Sequence, residues 1–326
     1  MTREEAIAAG MNVHEIQHSM KRRTSWHDYS RKGTYMLTLV VRERVALLGT
    51  LKGGLDGEVA PYVERSALGN AIVKEEQKKI NRYYPQVEVW KLCIMPDHIH
   101  MIVRINEDMG EGKHLGKVVA GFKSGCNNVF WKLFNMNETP RTGLFEEGYC
   151  DKILMHEGQL DNWKRYLDDN PRRLMMKRQN PLFFSILADM EVAGERCKIV
   201  GNRFLLDIPD KMAVIVHRRY TDEEIARLRN EWLECGERGG VLVSAAISPR
   251  EKGVLREAMS RGYNIILLRE NGFPKLYKPS GEAFEACANG LLLQISPWNF
   301  HYEKRVITRA QCLHLNSMAE RIVDDG

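Results

Sequence analysis

The sequence predicts an α+β chain of two domains: an antiparallel sheet with helices, then a smaller α/β domain. Three observations carry this. At 326 residues the chain is too long for one ordinary domain and comfortable for two. The first half reads strand, helix, strand, strand, helix. After Arg178 short apolar runs alternate with helix-spaced ones, the mark of a parallel sheet.

The elements follow in order. Residues 33–43 alternate Tyr35, Leu37, Leu39 and Val41 against Thr34, Met36, Thr38 and Val40, the period of a strand. A turn-rich stretch from Gly49 to Gly57 leads to Pro61, which suits the first turn of a helix reaching about Tyr83 with Leu68, Ile72 and Ile80 inward. Two apolar runs between Val87 and Ile105 break at Met95-Pro96-Asp97, which predicts a hairpin. Residues 115–133 put Leu115, Val118, Val119, Phe122, Cys126, Val129, Phe130 and Leu133 at helical spacing. A short strand is expected near Cys150–Leu154, then a helix over 157–170 that Pro171 ends, because proline supplies no amide hydrogen and disfavours helix just before it. That order suits a ferredoxin-like antiparallel sheet with helices on one face.

The second domain is expected to hold strands at Met212–His217, Val241–Ile247, Asn264–Arg269 and Leu291–Ile295. Helices at 221–235, 249–261 and 281–288 separate them, and a last helix runs from about Thr308 to Val323. The divisions are a basic arm over 1–32, a first domain over 33–178 and a second over 179–326.

Composition narrows the function classes. Apolar residues make up 44% and charged residues 28%, and no stretch approaches the ~20 uncharged apolar residues of a membrane span. The first residues lack the layout of a signal peptide, so a cytoplasmic, nucleoid-associated location and no membrane partner are expected. The seven cysteines are scattered and never form Cys-x-x-Cys, which predicts reduced thiols rather than a disulfide frame or zinc site. Residues 1–180 hold 28 Lys+Arg against 23 Asp+Glu, and residues 181–326 hold 20 against 20, so the whole excess of +5 lies in the first part. This is compatible with nucleic-acid binding there.

Two constellations can carry chemistry. His98 and His100 sit two apart on a strand, so their imidazoles share one face while Ile99, Met101 and Val103 enter the core behind them. Two adjacent imidazoles make half a metal site, although a bare His-x-His is also the polar face of many half-exposed strands. In Trp163-Lys164-Arg165-Tyr166-Leu167-Asp168-Asp169-Asn170-Pro171, Tyr166 and Asn170 lie one turn apart and can reach a common point. On its own this is equally a half-buried aromatic followed by a helix-ending asparagine.

In this order the motifs resemble those of the HUH endonucleases, and within them the single-tyrosine transposases of insertion sequences and the REP-associated tyrosine transposases. The signature of two histidines around a hydrophobic residue stands here as His98-Ile99-His100, with Met95-Pro96-Asp97 before it and Met101-Ile102-Val103 after. Tyr166-Leu167-Asp168-Asp169-Asn170-Pro171 is similar to the family's tyrosine helix, and Gly148-Tyr149-Cys150-Asp151-Lys152-Ile153-Leu154 to the strand before it. The resemblance spans roughly residues 25–175. It implies the HUH endonuclease fold, Tyr166 as nucleophile, and a divalent cation, Mg²⁺ or Mn²⁺, on His98, His100 and the carbonyl oxygen of Asn170. It implies a 5′-phosphotyrosine intermediate on single-stranded or hairpin DNA, with strand transfer by its reversal. A homodimer, with the tyrosine acting in its own or the partner's site, is among the arrangements implied, and Tyr149 is the second candidate nucleophile.

For DNA contact the candidates are Lys113, Lys117, Lys123 and Lys132 toward phosphates, and Trp26, His27 and Tyr29 toward unpaired bases. A solvated helix face explains the lysines equally well. Two other functions stay open: a non-catalytic hairpin-binding regulator, and a metal-dependent phosphodiesterase using water. In the second half, Gly239-Gly240-Val241-Leu242-Val243-Ser244-Ala245-Ala246, with Asn264-Ile265-Ile266-Leu267-Leu268 beyond the next helix, is similar to the Rossmann-like fold of the DNA-processing protein A family. Its glycine-rich turn stands here as Ser244-Ala245-Ala246-Ile247-Ser248-Pro249, which weakens any phosphate role. An accessory DNA-binding or assembly domain and a plain structural domain both remain.

Overall fold

The computed structural model describes Thr24 and residues 26–136, 141–303 and 305–324; the basic run Lys21-Arg22-Arg23 lies outside them. The chain divides into two compact units between Met175 and Met176.

The first unit is built on β1 (Gly33–Val40), β4 (Val87–Met95), β5 (His98–Ile105) and β6 (Cys150–Ile153), in the order β4-β5-β1-β6 and antiparallel throughout. Strands β2 (Gly49–Lys52) and β3 (Tyr62–Arg65) form a separate pair. Helix α1 has three consecutive segments, Ala67–Ala71, a π-helical turn Ile72–Glu76, and Gln77–Tyr83. Helices α2 (Leu115–Leu133) and α3 (Gln159–Gln179) follow.

Alternation along the strands sorts the side chains onto two faces. Tyr35, Leu37 and Leu39 of β1 and Ile99, Met101 and Val103 of β5 form one core with Leu68, Ile72 and Ile80 of α1 and with Leu115, Val118, Val119, Phe122 and Cys126 of α2. Met36 and Ile102 point the other way and are covered by Trp163 and Leu167 of α3. The expectation of helices on one face is thus corrected. Two helices lie on one face and α3 on the other, because β1 and β5 are apolar on both.

Two boundaries also move. Pro61 leads into β3 rather than a helix, and α1 begins after Ser66, whose hydroxyl accepts from the Gly69 amide and satisfies a donor at the helix start. Gly69 is needed there, since a Cβ would stand 2.2 Å from the Leu48 carbonyl oxygen. Helix α3 does not stop at Pro171 but continues to Gln179. An interior proline costs ~3 kcal/mol through the lost hydrogen bond and the ring clash. Burial of a large side chain offsets ~1.5–3 kcal/mol, and Trp163 and Leu167 are both buried. Across the proline, Asp169 accepts from Arg172 Nε at 2.5 Å and Nη2 at 3.0 Å, tying the two turns together.

The second unit holds a six-stranded sheet of β7 (Leu187–Val192), β8 (Glu195–Gly201), β9 (Lys211–Ala213), β10 (Val241–Ser244), β11 (Asn264–Leu268) and β12 (Leu292–Ser296), in the order β7-β8-β12-β11-β10-β9. Strands β9 to β12 are parallel and consecutive, while β8 joins β12 antiparallel. Helices α4 (Asp222–Glu237), α5 (Pro249–Ser260) and α6 (Glu282–Ala288) connect the parallel strands, and α7 (Arg309–Asp324) follows. Trp232, Leu255 and Cys287 pack on one face of this sheet; Leu315, Met318 and Ile322 of α7 pack on the other. The β7–β8 hairpin was not expected. Its turn is Ala193-Gly194, both at positive φ, and its charged strand residues hide the alternation.

All seven cysteines are free thiols. No helix among the described residues is long and apolar enough to cross a membrane.

Candidate functional site

The site is assembled on the α3 face of the first sheet. The hairpin turn Pro96–Asp97 reverses the chain so that Met95 pairs with His98, and its carbonyls accept from the amides of Leu48 and Val41 at 3.0 and 2.9 Å. From this anchored start, alternation puts His98 and His100 on the face shared with Ile102, their ring centres 4.8 Å apart.

Each ring is held at Nδ1. Thr38, opposite His100 in the β1–β5 register, places Oγ1 2.8 Å from His100 Nδ1. Asp97 Oδ1 stands 2.6 Å from His98 Nδ1, and its other oxygen accepts from Arg44 Nη1 at 2.9 Å. Both Nε2 atoms are therefore the nitrogens left for a ligand, and a carboxylate behind a histidine is the usual support of a metal-binding imidazole. Burial, aided by the charges of His98 and Lys152, pushes the His100 imidazole down to about 3, so it is neutral and has a lone pair to donate. Burial alone would raise Asp97, but the hydrogen bonds to His98 and Arg44 outweigh it and hold the carboxyl at about 2.

Helix α3 brings Tyr166 to this pair. Its ring centre lies 5.6 Å from that of His100, at an interplanar angle of 68°. Trp163 and Leu167 face the sheet, so Tyr166 falls at the edge of the apolar stripe and keeps 37% of its surface exposed. Burial raises its pKa, opposed by the nearby Arg173 guanidinium and the Asn170 amide. Asn170, one turn on, is 7% exposed, and among the described residues its Nδ2 has no hydrogen-bond partner. The carbonyl oxygen of the Asn170 amide, the atom type a divalent cation accepts, is the chemistry a third ligand would need. No group of three His, Cys, Asp or Glu side chains suited to a metal occurs among the described residues. A metal site here would rest on the two imidazoles and the amide.

The nucleic-acid candidates fare differently. Tyr29 is 5% exposed, donates to Asp151 Oδ2 at 2.7 Å and stacks on Tyr35, so the expectation that it meets a base is corrected: it is core. His27 Nε2 lies 2.9 Å from the Tyr35 hydroxyl, and burial lowers its pKa; it too belongs to that cluster. Trp26 is half-buried, edge-on to His27. Lys123 donates to the carbonyls of Glu146 and Gly148 at 2.5 and 3.0 Å, a brace for the loop before β6. Lys113, Lys117 and Lys132 are exposed, but α2 packs on the sheet face away from His98 and His100. Tyr149 packs with the α1–α2 core rather than at the histidines.

In the second unit, the β10–α5 turn is filled from within. The Glu251 carboxylate accepts from the amides of Val216, Ile247 and Ser248 at 2.8, 2.7 and 3.0 Å. An internal anion thus sits where a Rossmann-like turn would cradle a phosphate.

Sequence reading missed Thr38, which is found only through strand register, and Arg173, which lies beyond the expected helix end. Asp97 was visible as the polar residue of the hairpin turn, without its partner.

Comparison with known proteins gives a family match over residues 63–170, to the family described as transposase, IS200 like. His98, His100, Tyr166 and Asn170 all fall inside it. An uncharacterised protein of Haemophilus influenzae is 23% identical over 174 residues, 48% of this chain and 89% of that one. Among solved structures, a REP-associated tyrosine transposase bound to a REP hairpin aligns at 15% identity over 45% of this chain and 72% of its own, with a TM-score of 0.32. DNA processing protein A of Helicobacter pylori, described for its single-stranded DNA binding mode, aligns at 19% identity over 43% and 65%, with a TM-score of 0.31.

Proposed function

We propose, from the premise that residues 63–170 are those of an IS200-like transposase, that this chain cuts and rejoins single-stranded DNA through Tyr166. The observation that carries the reading is the convergence, within one chain, of the Tyr166 ring on the His98–His100 pair, at 5.6 and 4.8 Å between successive ring centres. It also supports a site completed by the chain's own tyrosine, without a partner subunit.

The phenol oxygen of Tyr166 attacks the scissile phosphorus, and the bond from phosphorus to the 3′-oxygen breaks. The 5′-phosphate is left on Tyr166; the phenol proton passes to water, and the departing 3′-oxygen takes one up. Because burial raises the phenol above its ordinary ~10, Tyr166 is protonated at neutral pH and must lose that proton as it attacks. The ester keeps its bond energy, so a 3′-hydroxyl can reverse the step and join a new strand without a nucleotide cofactor.

His98, His100 and Asn170 would hold a divalent cation, Mg²⁺ or Mn²⁺, which supplies several kcal/mol by neutralising the phosphate charge. Thr38 and Asp97 each hold one ring at Nδ1, which leaves the two Nε2 atoms for the cation. The four-stranded sheet has the ferredoxin-like strand order on which this site would be presented. The substrates proposed are DNA hairpins with a flanking single strand. For the second unit we propose an accessory role in DNA contact or assembly, on a surface other than the turn that Glu251 fills.

The test is a denaturing gel after incubation with single-stranded hairpin DNA and Mg²⁺ or Mn²⁺. A metal-dependent covalent adduct is expected, absent in Tyr166→Phe and in the His98→Ala, His100→Ala double variant. Binding without adduct would indicate a regulator. Cleavage that persists in Tyr166→Phe would indicate attack by water or Tyr149.

A further inference from the structure

Strand β4 is the outer strand of the first sheet, and Trp90 interrupts its pairing: Val89 and Lys91 each pair with β5, while Trp90 is bulged between them. A bulge at a sheet edge re-aims a side chain out of the strand's alternation, and here it leaves a large indole 43% exposed. The ring is nonetheless held. Its Nε1 donates to Glu88 Oε2 at 3.0 Å, and the guanidinium carbon of Arg104 lies 5.8 Å from its centre. Trp90 lines a groove of about 460 Å³ within the first unit, together with Tyr62, itself 45% exposed, and with Arg65. The far side of that groove is formed by Asp168 and Pro171 of α3, the helix that carries Tyr166. Asp168 is the one acid among the described lining residues, and Lys91 Nζ meets it at 2.5 Å, so the exposed Arg65 gives the groove a positive excess. The groove is also close to the histidines. Cys93 of β4 stands opposite His100 in the register, and Trp90 is three residues back along the strand, a span of ~10 Å.

We propose that this groove holds the single strand running to the cut, with an unpaired base stacked on Trp90, Tyr62 as the second aromatic wall and Arg65 on a phosphate. The assignment rests on the function proposed above and gives its DNA a path on this chain. A ring fixed at its nitrogen and backed by a cation is a preset platform for a base, because little rotamer freedom is lost when the base arrives. His27 and Tyr29, the aromatic residues expected to meet bases, are instead packed with Tyr35. Trp90 supplies the exposed ring that they do not.

The test uses the full chain carrying Tyr166→Phe, so that no adduct accumulates, and two labelled probes: an oligothymidylate and the same backbone made abasic throughout. Trp90→Ala is expected to weaken binding of the oligothymidylate by ~5- to 150-fold, the usual effect of losing one stacked base, and to leave the abasic chain almost unchanged. Trp90→Phe should lose less than the alanine variant. Arg65→Ala should weaken both probes alike and flatten the dependence of log affinity on log salt by ~0.7, as for one phosphate contact on a single strand. An unchanged affinity of Trp90→Ala for the oligothymidylate overturns the assignment, as does an equal loss on the two probes, which would mean a structural role for the indole. The two readings separate cleanly. Adduct formation by a chain in which Trp90→Ala binds like the parent overturns the groove alone, whereas the expected binding pattern in a chain that forms no adduct on any hairpin overturns the nuclease and leaves a single-strand binder.

Discussion

Thr38 shows how one side chain away from the reacting atoms can set the chemistry of another. It has no charge and lies in the middle of β1, yet its hydroxyl occupies His100 Nδ1 and so decides which nitrogen faces the site. Without it His100 would remain buried and neutral, held by the Leu37 backbone alone. Thr38→Val keeps the shape and removes the hydroxyl. We expect it to weaken Mn²⁺ binding by about tenfold or more, the usual effect of losing a supporting hydrogen bond, with far-ultraviolet circular dichroism unchanged. Titration calorimetry that gives the wild-type affinity would contradict this. None of this was legible locally. His98, His100, Tyr166 and Asn170 could be read because each pair lies within one element, where a period of two or a spacing of four fixes the shared face. Thr38 lies 62 residues from His100 and meets it only through strand pairing. Tyr29 was misread for the same reason: its partners, Tyr35 and Asp151, are on other strands.

Among the elements, α3 departs most from its sequence signal. Proline rules predict its end at residue 170, and they describe a real local cost. The helix continues because burial of Trp163 and Leu167 and the Asp169–Arg172 clasp act over several turns, whereas the proline penalty acts at one. The extension is what places Arg173 beside the tyrosine. Pro171→Ala should therefore return a helical hydrogen bond to the Leu167 carbonyl and raise stability by ~1–3 kcal/mol, part of the helical gain being lost to the freer unfolded chain. Urea unfolding would show the midpoint moving up. A lower midpoint would mean that the packing requires a proline-shaped bend. The strands and the other helices were legible to within a few residues wherever apolar periodicity was strong, as in β5 and α2. The β7–β8 hairpin was not, since its charged residues Glu191, Glu195, Arg196 and Lys198 interrupt the alternation and only Ala193-Gly194 marks the turn.

At the scale of the whole molecule, each of the two units has its own core, and the second carries an acid-sensitive clasp. In the second, Glu195 of β8 is clasped by Arg321 and His314 of α7, with Arg321 Nη1 also donating to the Ala193 carbonyl at 2.6 Å. Burial by itself would raise the Glu195 carboxyl, but these partners outweigh it and hold it below its ordinary value. The stabilisation is thus full above the pKa of an unfolded glutamate, ~4.3, and is lost as pH falls through the lower folded value. Glu195→Gln should lower the stability of the second unit at pH 6–7, and the gap to wild type should close on acidification; a gap constant with pH would contradict the clasp. The central claim for the molecule is that its nucleophile is Tyr166. The most direct measurement is tryptic digestion and mass spectrometry of the covalent DNA adduct. The nucleotide mass is expected on the peptide of residues 166–172. Its appearance on the peptide of residues 142–152, which carries Tyr149, or on no peptide while the DNA is still cut, would contradict it.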